Sequence, residues 1–74
     1  MGKSELGNNI RKLRFEHGEM TQQKLADIAG VTRQTIIAVE QGKYTPSLTL
    51  AFKISAAFGL KVENVFIFEG KKLS

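Results

Sequence analysis

An all-α domain of five short helices is the fold class that the 74-residue sequence predicts, and three observations carry that reading. Helix breakers fall at regular intervals, at Gly18, Gly30, Gly42 and Gly59, while proline occurs once, at Pro46. Between the breakers, apolar residues recur at spacings of three and four, the period of a helix with one buried face. Residues suited to helix caps stand at the points where those segments begin and end.

The first segment carries Ile10, Leu13 and Phe15 as its core candidates, and the second carries Leu25, Ile28 and Ala29. Thr21 is placed to cap the start of the second helix. Thr32 does the same for the third, which contributes Ile36 and Val39. Gly42 and Gly59 are placed just past helix ends, where glycine accepts a left-handed backbone without cost. The fourth helix opens at Pro46-Ser47, with either Thr45 or Ser47 as its cap, and lays down Leu50, Ala51, Ile54, Ala57 and Phe58. A short fifth helix is expected at 62–66, where Val65 and Phe66 close the core. The tail at 67–74 follows it, and "VFIFE" reads equally as a helix end or a short strand. The whole chain reads as one domain with its core at about 8–66.

Composition narrows the function. Lys plus Arg number 11 against 7 Asp plus Glu, a net charge of +4 that favours an anionic partner such as nucleic acid. With no cysteine, one histidine (His17) and one aspartate (Asp27), neither a thiolate metal site nor a catalytic constellation can be assembled. His17 is expected in a polar loop without a fixed partner. No enzyme activity, cofactor, metal or small-molecule ligand is expected. Nothing in the chain resembles a signal or spanning segment, which points to a cytoplasmic, nucleoid-associated protein. A chain of this size buries only about 60% of the surface it exposes when unfolded. Without disulfides, the missing stability is expected from tidy packing or a second subunit.

The second and third helices are joined by "AGVT", a link short enough to set them at a steep angle as a helix-turn-helix. Gly30 supplies the positive φ of the turn, Ala26 lets the helices approach, and Val31 points inward. Through "TQQKLADIAGVTRQTIIAVEQGK", "PSLTLAFKISAAFGL" and "VENVF", from Ile10 to Phe66, the sequence resembles the helix-turn-helix transcription regulators of the phage Cro and repressor type. It is most similar to short prokaryotic members that contain little beyond the DNA-binding domain. One departure is the loop "EHGEMT", a residue longer than the family's usual link between helices one and two.

The resemblance implies a five-helix, lambda-repressor-like domain with its third helix in the major groove of double-stranded DNA. It implies Arg33, Gln34 and Ala38 as base contacts, Gln22 as a phosphate contact, and an ion pair between Arg14 and Glu40. Residue chemistry points the same way. With Ile36 and Val39 turned to the core, 100° per residue places Gln34, Ile37, Ala38 and Gln41 on the opposite face, with Arg33 and Glu40 at its margins. Gln34 suits adenine and Arg33 suits guanine in bidentate pairing, and Ile37 suits a thymine methyl. Packing of Ile37 against the loop at 43–47 is the competing reading. Thr21, Gln22 and Gln23 stand at a helix N-terminus, a natural site for a backbone phosphate. Lys43, Tyr44, Thr45 and Ser47 follow the third helix and are expected on the other strand.

A regulator of this type is expected to act as a homodimer on an inverted-repeat operator, most simply as a repressor. Phe52, Phe66, Ile67 and Phe68 are the expected interface, with the tail as a strand added to its twin. An intramolecular lid formed by the same tail is the alternative. Two other functional readings compete: an antitoxin-like or autoregulatory subunit whose main partner is a protein, and a helical interaction module that does not bind DNA.

Overall fold

The computed structural model describes residues 6–68 of the chain. In chain order it comprises β1 (Leu6–Asn8), α1 (Ile10–Glu16), α2 (Gln22–Ala29), α3 (Arg33–Glu40), α4 (Leu48–Ala57), α5 (Val62–Val65) and β2 (Phe66–Phe68). The expected helices are all present, and the caps explain their limits. Thr21 accepts a hydrogen bond from the Lys24 N–H, Thr32 from Thr35 and Ser47 from Leu50, so Ser47 rather than Thr45 opens α4.

The core is built from one stripe of each helix: Ile10 and Leu13, Leu25, Ala26 and Ala29, Ile36 and Val39, Leu50, Ala51, Ile54 and Phe58, then Val65 and Phe66. Two expected core residues stand outside it. Phe15 is 69% exposed and Ile28 is 46% exposed. At about 100° per residue, Phe15 stands about 160° round α1 from Leu13, nearly opposite the buried stripe, while Ile28 stands about 60° from Leu25, at the edge of the stripe of α2.

The tail resolves as a strand. Residues 66–68 pair antiparallel with 6–8, Leu6 opposite Phe68 and Asn8 opposite Phe66, so the strand that β2 joins is its own chain's β1. A strand before α1 is not among the elements expected from the sequence. Two short strands are marginal by themselves, and these are anchored where they leave the helices. Asn9 N–H donates to Val65 O at 2.9 Å, and the Asn8 side chain accepts from the Ile10 N–H while its Nδ2 donates to Val39 O at 3.0 Å. Phe66 is 6% exposed and belongs to the core, so it offers no surface to a second copy, contrary to its expected interface role. Ile67 and Phe68 face outward. The rest of the expected tail element, 69–74, lies outside the described residues.

The link between α1 and α2 contains two consecutive left-handed residues, Gly18 at φ 76° and Glu19 at φ 56°. His17, expected to lack a fixed partner, has one. Its Nδ1 donates to Leu13 O at 2.9 Å, and its ring lies 5.1 Å from that of Phe58, which ties the end of α1 to the end of α4. Among the described residues, no helix is long and apolar enough to cross a membrane.

Candidate nucleic-acid interface

The angle between α2 and α3 is set by three residues. Gly30 takes φ 73° and ψ 32°, and its N–H donates to Asp27 O while that of Val31 returns to Ala26 O at 3.0 Å. This closes α2 with two carbonyls satisfied and turns the chain sharply into the Thr32 cap. Ala26 is fully buried in the angle, beside Leu25, Ala29, Ile36 and Val39. A larger side chain at position 26 has no room there without spreading the helices.

That packing decides which residues of α3 meet solvent. Because Ile36 and Val39 are buried, Arg33, Gln34 and Gln41 are exposed. Ile37 and Ala38 are half-buried on the same side, so Ile37 presents only part of its side chain outward. The first turn of α3 therefore offers one guanidinium and one amide, both able to make paired hydrogen bonds in one plane.

Behind this face, Arg14 reaches from α1 to Glu40 at the end of α3. Its Nε donates to Oε2 at 2.6 Å and its Nη2 to Oε1 at 3.2 Å, while Nη1 donates to Met20 O at 2.8 Å. The side chains are 15% and 9% exposed, so the pair is largely withdrawn from water and neutralises itself. Gln22 Nε2 donates to the same Glu40 Oε1 at 3.4 Å. Gln23 Nε2 donates to Asp27 Oδ1 at 2.8 Å. Each amide nitrogen thus keeps one further N–H. The Thr21 and Ser47 hydroxyls accept from the backbone as caps, and each retains its own hydrogen as a donor.

Apart from Gln34, Ile37 and Ala38 on α3 itself, the residues expected on DNA fall into two groups. Thr21, Gln22, Gln23 and Arg33 line an open polar cleft of about 580 Å³ together with Arg11, Arg14, Glu40 and Gln41. Tyr44 and Ser47 line a smaller one of about 280 Å³ with Gly30, Val31, Thr35 and Lys53. Lys43 and Thr45 are exposed in the connecting loop, where the Lys43 N–H donates to Ala38 O at 2.9 Å. Two cations of this surface were absent from the sequence reading, Arg11 and Lys53. Arg11 had a usable signal, since it stands three residues before Arg14 and shares its helix face.

The helix-turn-helix family matches residues 10–64 of the chain. An HTH-type transcriptional regulator of Methanocaldococcus jannaschii is 55% identical over 62 residues, which are 84% of this chain and 92% of the relative. The HTH-type transcriptional regulator YgzD of Bacillus subtilis is 50% identical over the same shares of the two chains. Among solved structures, a hypothetical transcription factor from Neisseria aligns with a TM-score of 0.69 at 30% identity, covering 76% of this chain and 63% of that one.

Proposed function

The chain belongs to the helix-turn-helix family of DNA-binding transcription regulators, and from that premise we propose that it acts as a homodimer which inserts α3 of each copy into the major groove of an inverted-repeat operator. The observation that carries this reading is the division of α3. Ile36 is 0% and Val39 2% exposed, while Gln34 is exposed on the opposite side of the first turn and Arg33 is exposed at its margin. A helix whose inner face is locked in a core holds its outer side chains in fixed register against base edges.

In this reading Arg33 and Gln34 pair with guanine and adenine, and Ile37 and Ala38 lie against apolar base edges such as the thymine methyl. Thr21, Gln22 and Gln23 hold the phosphates of one strand. Lys43, Tyr44, Thr45 and Ser47 hold those of the other. The Arg14–Glu40 pair keeps α1 behind α3 and touches no base. The protein regulates by occupancy, as a repressor without catalytic activity, and it works beside the nucleoid in the cytoplasm.

The dimer reading rests on α4. Lys53 is the only charged residue in "LTLAFKISAA", and the helix is apolar on two sides. Leu50, Ala51 and Ile54 face the core, while Leu48 is 69% and Phe52 57% exposed. Exposed large apolar side chains clustered on one helix call for a covering partner. A second copy covering Phe52, Ile67 and Phe68 supplies it, and a two-fold dimer sets the recognition helices about 34 Å apart, one turn of DNA. The described residues then constitute one DNA-binding domain whose last strand also serves assembly.

Selection of bound duplexes from a random pool at about 0.15 M salt tests the proposal. The parent protein enriches an inverted repeat. Arg33→Ala and Gln34→Ala each lose about 1 to 3 kcal/mol of preference at one defined base pair. Lys43→Ala instead weakens all duplexes alike and makes the salt dependence shallower by about one charge. Equal affinity for unrelated duplexes, with no enriched motif, defeats it.

A further inference from the structure

Arg11 is exposed in the first turn of α1, one turn before Arg14, and lines the same cleft as Gln22, Gln23, Arg33 and Glu40. Three guanidinium groups, those of Arg11, Arg14 and Arg33, therefore share one concave wall with one carboxylate. That carboxylate is fully engaged: Glu40 Oε2 accepts from Arg14, and Oε1 accepts from both Arg14 and Gln22. Asp27, the acidic residue nearest in α2, accepts from Gln23. Among the described residues, no carboxylate forms an ion pair with Arg11 or Arg33.

The cleft is thus left with two uncompensated positive charges beside the amide donors of the first turn of α2. Like charges facing one recess repel each other and focus an attractive field for an anion. The ligand that suits such a wall carries negative oxygens that only accept hydrogen bonds, and guanidinium groups hold phosphate oxygens in this way.

Resting on the DNA-binding reading above, we infer that Arg11 is a ligand for one backbone phosphate, gripping from α1 the strand that runs past the first turns of α2 and α3. Arg14 does not share this role, because Glu40 neutralises it. Its function at the cleft is to keep Glu40 occupied, so that Arg11 is left for the DNA.

The test compares the parent, Arg11→Ala, Arg11→Lys and Lys61→Ala for binding to duplexes of mixed sequence between about 0.05 and 0.2 M salt. Lys61 is exposed at the start of α5 and serves as a control for the loss of one charge elsewhere. Arg11→Ala should weaken every duplex by a similar factor and reduce the salt slope by about 0.9, while Arg11→Lys and Lys61→Ala keep the parental slope. Ethylation interference on a selected duplex should lose its signal at one phosphate per half-site in Arg11→Ala. A parent that binds DNA with a slope unchanged in Arg11→Ala overturns the assignment and leaves the DNA-binding reading standing. Equal slope losses in Arg11→Ala and Lys61→Ala overturn it too. A parent without affinity for any duplex overturns both.

Discussion

Arg14 and Glu40, 26 residues apart in sequence, meet through two parallel hydrogen bonds of 2.6 and 3.2 Å and so fasten α1 to the end of α3. A guanidinium and a carboxylate matched in this way lose little by leaving water together and much by being parted. The tie holds the end of α3 against α1.

Removing one partner should therefore be costly. Glu40→Ala leaves the Arg14 guanidinium with Met20 O as its only described acceptor, and a loss of about 3 kcal/mol of unfolding free energy is expected in urea titrations. The double variant Arg14→Met with Glu40→Leu should lose distinctly less, because no charge is stranded. A Glu40→Ala midpoint equal to that of the parent would class the pair with ordinary surface ion pairs.

Gly30→Ala isolates a backbone effect. A Cβ at this position meets no atom within 4 Å, so the cost comes from φ 73° alone. About 1 to 2 kcal/mol is expected, measurable as a lowered thermal midpoint with an unchanged far-ultraviolet dichroism spectrum.

Neighbouring isoleucines in α3 should separate stability from recognition. Ile36→Ala opens a cavity under α3 and should cost about 2 to 5 kcal/mol of stability. Ile37→Ala removes a half-buried side chain, so it should cost much less and reduce preference at a T·A position in selected duplexes. If Ile37→Ala destabilises as much as Ile36→Ala with base preference intact, Ile37 packs on the loop at 43–47.

The exposed side of α4 is tested by Phe52→Lys. Phe52 is 57% exposed, so the fold should tolerate the change, while sedimentation equilibrium should move from dimer to monomer and operator affinity should fall. A parent that is already monomeric would turn the Leu48–Phe52 surface toward a different protein, as an antitoxin-like subunit requires.

Much of this architecture was legible because it is local. A cap needs only a hydroxyl three residues before an N–H, which is why Thr21 and Thr32 marked their helices correctly. Gly30 and Gly42 were equally readable, since a positive φ excludes most other residues. The assignments that failed turned on surroundings. Ile28 is as apolar as its neighbours and lies about 60° round the helix from Leu25, so periodicity over eight residues leaves a stripe broad enough to include it, whereas Phe15 stands off the helical period and only its apolarity suggests the core. Only the positions of the other helices show which edge of that stripe remains uncovered.

By itself, the sequence determined the five helices, the turn between α2 and α3, and the outward placement of Arg33 and Gln34, because each follows from backbone preferences and a helical period within about a dozen residues. Tertiary structure alone decided that 66–68 pairs with 6–8, that Phe66 is spent in the core, and that Gln22 gives one amide hydrogen to Glu40. It also decided that Arg11 shares a cleft with Arg33. The physical reason is common to all four: hydrogen bonds and charges act through space at a few ångströms, and residues far apart in the chain reach such distances only once the helices have packed.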